Sequence, residues 1–288
     1  MSIKIFLLSI GGRPLARERL LLSLLVLWAL AGIPGCMVNE KASEPIPPET
    51  IVALLEQGEF PRAEVHLPSY QLLGRFQPKD DVRFLQVPDT YTRGSARGKY
   101  LHRRALEAYV QMAEAAQEEG IQLHIISATR NFDSQKRIWE SKWKGLRIVE
   151  GQNLAKEVKD PVLRAQKILR FSSMPGTSRH HWGTDMDFNA LSNRYFEEGE
   201  GAKVYEWLQA HGSNFGFGQP YTVKDSLRPV GYEEEKWHWS YLPLAKLYLS
   251  EYQKQIKNTD IKEFAGSEVA FELAVIRTYV EGIHPDCQ

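Results

Sequence analysis

Apolar residues recur at helical spacing between Leu101 and Glu119 (Leu106, Tyr109, Val110, Met112, Ala113), and Gly120 follows as a stop. That pattern predicts a helix over 101–119. The next six residues, Ile121-Gln122-Leu123-His124-Ile125-Ile126, nearly alternate and are rich in β-branched side chains, which predicts a strand. Helices are expected over 133–143 and 161–169, the second with Asp160 as N-cap and Pro161 in its first turn. A helical stretch from Val204 to Ala210 ends at Gly212, and two more, over 243–256 and 267–280, follow it. Short strands between helices, with no regular βα repeat, predict an α+β fold: one domain with a small antiparallel sheet flanked by helices.

Upstream the pattern changes. Lys4, Arg13, Arg17 and Arg19 precede an uncharged run from Leu20 to Ala31, too short to span a bilayer, which takes about 20 residues, but of signal-peptide length. The run leads into Ala31-Gly32-Ile33-Pro34-Gly35-Cys36, a small residue before a cysteine, and this resembles a bacterial lipoprotein signal. Residues 1–36 are therefore expected to be a signal peptide with Cys36 lipidated; a plain secretory signal or an uncleaved anchor is the alternative. Residues 37–64, with Glu44-Pro45-Ile46-Pro47-Pro48, read as a polar tether with a short helix over 51–56, and 65–288 as the folded domain. The expectation is an exported protein held to a membrane by lipid, facing the periplasm or the cell exterior.

Charge adds little. The chain has 36 basic and 36 acidic residues, and without residues 1–36 its net charge is −3, so nothing draws it to nucleic acid. Two cysteines cannot build a disulfide scaffold, and Cys287 would have no intramolecular partner once Cys36 is modified.

The candidate chemistry lies in two segments. From Thr184 the chain alternates, so on a strand Met186 and Phe188 take one side while Asp185, Asp187 and Asn189 take the other. Gly183 permits a turn that brings His180 back towards Asp187. In the second segment, Glu233-Glu234-Glu235 precede Trp237-His238-Trp239. Two histidines and a carboxylate form a common catalytic zinc set, and a nearby glutamate can take a proton from water. Spacing by itself leaves solvated histidines and a turn aspartate as the other reading.

Three motifs then carry a resemblance. Ser178-x-His180-x-x-Gly183-x-x-x-Asp187, the Glu235-x-x-His238 pair with Trp237 before the histidine, and Ser127-Ala128-Thr129-Arg130-Asn131-Phe132 followed by Gln135 resemble, in order, the motifs of the zinc D-alanyl-D-alanine carboxypeptidase and dipeptidase family, closest to its VanY-like branch. The likeness covers roughly Leu73 to Ala245. It implies Zn2+ held by His180, Asp187 and His238, with Glu235 as general base and Arg130 binding substrate and the developing oxyanion. Ser178 and Gln135 are candidate substrate contacts, Ser178 equally a turn residue orienting His180, Trp237 is a substrate-side wall or plain core, and peptidoglycan stem peptides are the implied substrate.

Several positions leave choices open. Glu235 and His238 would point to opposite faces of a regular strand, so the strand must begin or bulge after Glu235, or Glu235 must lie in the preceding loop. Glu233 and Glu234 compete for the base role. Asp185, where many family members carry a small apolar residue, can touch a ligand, shape substrate choice or itself be the ligand. His181 should face away from His180. His124 reads as a core histidine, Trp139 and Trp143 as core, and Lys142 and Lys144 as solvated helix face. A cross-link endopeptidase, an envelope lipoprotein that binds zinc or peptidoglycan without turnover, and an envelope scaffold are the alternative functions.

Overall fold

The computed structural model describes residues 67–288. The expected signal, Cys36, the tether and the helix over 51–56 lie outside the described residues. Within them, no helix is long and apolar enough to cross a membrane.

The helices are α1 (Ser69–Leu72), α2 (Arg103–Glu118), α3 (Phe132–Trp143), α4 (Leu154–Glu157), α5 (Pro161–Ile168), α6 (Gly199–His211) and α7 (Leu242–Gln255). Strands β1 (Phe84–Gln86) and β2 (Tyr100–His102) form a two-stranded antiparallel sheet. Strands β3 (Ile125–Ser127), β4 (Asp185–Phe188), β5 (Phe217–Gly218) and β6 (His238–Tyr241) form a four-stranded antiparallel sheet in the order β3-β4-β6-β5. This is the α+β arrangement that the sequence pattern predicts.

Local chemistry explains the helix starts. His102 caps α2 by accepting from the Arg104 N–H at 3.4 Å, and Asn131 caps α3 by accepting from the Ser134 N–H at 2.9 Å. Asp160 accepts from the Val162 and Leu163 N–H groups ahead of α5. Leu101 falls on β2 rather than in the following helix, paired with Leu85.

Two expectations need correction. Of the stretch Ile121–Ile126 only the end is ladder-paired; its earlier backbone is held by side chains together with backbone bonds from Ile121 to Ala116 and from Asn189 to His124. Asn189 accepts from the His124 N–H at 2.9 Å and donates to the Gln122 carbonyl at 2.8 Å, and the Tyr109 hydroxyl donates to the Leu123 carbonyl at 2.9 Å. The expected helix over 267–280 is instead a 3-10 turn (Ser267–Val269) and a π-helical turn (Ile276–Val280), interrupted at Ala274 with φ 44°. Ala270, Val275 and Val280 are all buried, and the positive φ at Ala274 prevents one continuous helix from carrying the first two.

The four-stranded sheet divides the hydrophobic interior in two. Met186 and Phe188 of β4 and Trp239 of β6 point into a cluster completed by Leu106, Tyr109 and Met112 of α2 and Val204, Trp207 and Leu208 of α6. On the opposite side lies a second cluster built from α3, α5, α7 and the C-terminal turns, including Trp139, Trp143, Ile168, Tyr248, Tyr252 and Val280. Trp139 and Trp143 stack at 6.0 Å inside it, as their four-residue spacing predicts. Between the sheet and this second cluster lies a buried polar layer.

Candidate metal centre

Side chains on a strand alternate, so sending Met186 and Phe188 into one cluster turns Asp185 and Asp187 to the other face. In the register of β4 with β6, Asp187 lies opposite His238 and Asp185 opposite Ser240. These four residues are at most 4% exposed. His180 reaches the same face from a 3-10 turn, Arg179–His181. Gly183, at φ 73°, lets the chain fold back from that turn into β4; a Cβ there would meet Phe84 Cε1 at 2.3 Å and the His102 nitrogen at 2.9 Å.

Ligand atoms of His180, Asp187 and His238 all lie within 4.8 Å of one another. His180 Nε2 is 3.4 Å and His238 Nδ1 3.0 Å from Asp187 Oδ1. The two imidazoles meet edge to face, with centroids 4.8 Å apart. His180 Nδ1 faces the Ala128 carbonyl at 3.0 Å, which assigns the proton to that nitrogen, while the buried Nε2 has no hydrogen-bond partner. An orphaned imidazole lone pair beside a carboxylate and a second imidazole is a donor set that fits a divalent metal taking nitrogen and oxygen ligands.

Charge in this layer is strongly coupled. Burial would raise the Asp187 carboxyl, but the two histidines overcome it and hold the group well below the usual carboxylate range. Burial, with Arg130 nearby, lowers His180 to about 4. His238 is also disfavoured by burial, yet Asp185 and Asp187 raise it to about 9.

Glu235 lies in the turn before β6, where the His238 N–H donates to its carbonyl at 3.2 Å; the strand does begin after it. Its Oε2 is 3.7 Å from His238 Nδ1, and burial raises its pKa to about 8. Glu233 faces elsewhere, paired with Lys224 at 3.1 Å and Arg170 at 3.5 Å. Arg130 follows β3, at whose pairing with β4 the register shifts. Its N–H donates to the His180 carbonyl at 3.1 Å, and its Nε has no partner. Ser178 Oγ and Gln135 Oε1 are likewise buried without partners, while Gln135 Nε2 donates to the Ser173 carbonyl at 2.7 Å. Trp237 belongs to the α2–α6 cluster and its ring faces Phe171 at 6.4 Å.

His181 does face away from His180, and it is fully buried. Its Nδ1–H donates to the Arg130 carbonyl at 2.6 Å and its Nε2 accepts from the Gly176 N–H at 3.0 Å, bracing two loops that border the site. His124 is only partly buried and lies beside Gln122, at 3.3 Å, rather than in the core. Lys142 is not a solvated residue. Its ammonium donates to Ser172 Oγ, and burial, then Arg147 and Arg130, lowers its pKa to about 8.

Periodicity gives no sign of Arg179, Thr184, Ser240 and Tyr221, which complete the layer. Tyr221 packs on the His238 ring at 4.7 Å. The departure from the family motif at Asp185 was the available signal, and its partners are given below. An open cleft of about 660 Å³, bordered by Lys159, Lys167, Arg170, Lys224 and Glu233, lies next to the Glu233–Glu235 segment and is not lined by the triad.

Residues 98–244 match the family described as D-alanyl-D-alanine carboxypeptidase, VanY. YodJ of Bacillus subtilis (strain 168), provisionally named a carboxypeptidase, is 28% identical over 199 residues, covering 68% of this chain and 61% of that protein. The chain thus spans about three-fifths of the length of that relative. A D-alanyl-D-alanine carboxypeptidase of Enterococcus faecalis is 28% identical over 138 residues, 48% of this chain and 47% of that one. The solved structure of the LdcB LD-carboxypeptidase aligns with TM-score 0.42 and 24% identity, over 73% of this chain and 82% of the other.

Proposed function

Because the chain belongs to the VanY family of D-alanyl-D-alanine carboxypeptidases, we propose that it is a zinc-dependent peptidase hydrolysing peptidoglycan stem peptides next to a D-alanine terminus. The observation that carries this reading is the convergence of His180, Asp187 and His238 with a buried glutamate 3.7 Å from one of them. His180 Nε2, Asp187 Oδ1 and His238 Nδ1 are the ligand atoms. Held there, zinc would supply a positive field that acidifies an attacking water, polarises the scissile carbonyl and favours the ionised form of Glu235.

Glu235 takes the water's proton on its carboxylate as the oxygen attacks, and passes it to the leaving D-alanine amine. Arg130 is fixed through its own backbone to His180 and His181. Its guanidinium therefore needs little reorganisation to bind substrate and steady the oxyanion, a class of contact worth about 3–4 kcal/mol when removed elsewhere. Ser178 Oγ and Gln135 Oε1 have hydrogen-bonding capacity left over for substrate. Stem peptides lie outside the cytoplasm, so this substrate agrees with the signal expected over residues 1–36 and with lipidation of Cys36, which would place the domain at an outer membrane face.

The test is zinc content and D-alanine release, measured on purified protein with a pentapeptide stem. One zinc per chain with D-alanine released, and release lost in Glu235→Gln while zinc stays, is the expected result. Zinc without release from pentapeptide, tetrapeptide or cross-linked dimer would replace the enzyme with a binding protein. Absence of zinc would overturn the mechanism.

A further inference from the structure

His238 is held at both ring nitrogens by carboxylates of one strand. Its Nδ1 lies 3.0 Å from Asp187 Oδ1, on the side of the metal ligands, and its Nε2 lies 2.9 Å from Asp185 Oδ1. Asp185 and Asp187 are two residues apart on β4 and so share a face, spanning the imidazole between them.

Asp185 is not placed to serve as a ligand. Its Oδ1 also accepts from Arg179 Nε at 2.9 Å, and its Oδ2 accepts from the Thr184 hydroxyl at 2.5 Å. Arg179 and Asp185 side chains are both wholly buried. A lone carboxylate at that depth would favour its neutral form, which could not accept as strongly. Arg179 opposes this: it is oriented by donating through Nη2 to Ser240 Oγ at 2.7 Å, across the strand pair from Asp185, and its guanidinium lies over the Trp182 ring at 4.9 Å.

We propose that Asp185 is a positioning residue for the metal centre, holding the Nε2–H of His238 so that the ring can offer only Nδ1 to the metal, with Arg179 fixing Asp185 in that role. A metal-bound histidine whose other nitrogen donates to a carboxylate gains both orientation and basicity, and losing such a partner commonly weakens metal binding 10–100-fold. The proposal rests on the triad being a zinc site. It assigns Asp185 a task that the three ligands and Glu235 do not perform.

The test begins with zinc-loaded wild-type protein labelled with ¹⁵N-histidine. His238 should be metallated at Nδ1 and protonated at Nε2, with that proton slow to exchange; the reverse assignment overturns the proposal. Zinc affinity by chelator competition should then fall about 10–100-fold in Asp185→Ala, with the slow proton lost. Asp185→Asn, which keeps an acceptor oxygen, should stay nearer wild type. Asp185→Ala leaves the Arg179 charge stranded and can unfold the protein, so the deciding variant is Arg179→Met/Asp185→Ala, which removes both charges. If that folded double variant binds zinc like wild type, the pair is only structural and the proposal falls. No zinc uptake by the wild type would overturn the functional reading, and this inference with it; normal uptake with unaffected variants would overturn this inference alone.

Discussion

On one face of the central sheet Met186, Phe188 and Trp239 pack among the side chains of α2 and α6, with Phe188 stacked on Tyr109 at 5.6 Å. On the other face Asp185, Asp187, His238 and Ser240 are buried just as deeply, yet His238 meets the two carboxylates through hydrogen bonds. Burial of Met186 and Phe188 stabilises the fold by roughly 1.5–3 kcal/mol each. Burial of the polar four costs free energy unless every group is paired, and His180 Nε2 alongside them is not. The same two strands therefore make a stabilising surface and a ligand-demanding one. What separates them is the parity of each residue's position, not its depth.

The largest effect should come from the polar face. His238→Ala is expected to abolish stoichiometric zinc binding and, with it, D-alanine release, both read on purified protein by metal analysis and product assay. Phe188→Ala tests the opposite face. It should cost about 3–5 kcal/mol of unfolding free energy by denaturant titration, while the protein that remains folded still binds zinc. Equal loss of zinc in both variants would collapse the distinction between the faces.

A smaller effect is set by pH. Burial first, then the charge of Arg83, lowers His102 to about 4, and burial lowers His181 to about 3, against an ordinary 6.5. The unfolded chain takes up protons below 6.5 that the folded chain refuses until about 4. Stability should thus be fully present above 6.5 and fall with acid, by up to about 1.4 kcal/mol per pH unit for each histidine. His102→Gln should flatten the slope by about one proton, and an unchanged slope would refute the assignment. Smallest of all, His124→Gln, on the partly exposed rim, should move stability by no more than about 0.5 kcal/mol and leave zinc binding alone.

Much of this arrangement can be read from the chain, and the failures are informative. Alternation from Asp185 to Phe188 correctly sorts the two faces because β4 is a regular strand, whereas Asn189, at φ 57°, has left it and turns its side chain to the Gln122 and His124 backbone. The fold-back at Gly183 and the loop position of Glu235 also follow from local rules, glycine tolerance of positive φ and odd spacing on a strand. Arg179 is invisible to such rules. It lies on a 3-10 turn, whose neighbouring side chains diverge by about a third of a circle, and its partners Asp185 and Ser240 meet it only after β4 and β6 pair. Lys142 reads as solvated for a similar reason, since the Ser172 loop that covers it is placed by contacts distant in sequence. The segment after Ser267 misleads because it is apolar enough for a helix, whereas the backbone at Ala274, at φ 44°, interrupts it.

Strand order carries one more consequence, for the timing of assembly. β6 lies between β4 and β5, although the chain makes it after both. His238 can therefore meet Asp187, 51 residues earlier in the chain, only once this late strand pairs with β4. A nascent chain that ends before β6 holds His180 and Asp187 but lacks His238. The three-residue donor set and the sheet should therefore be completed in one step, and the proposed hydrolysis with them.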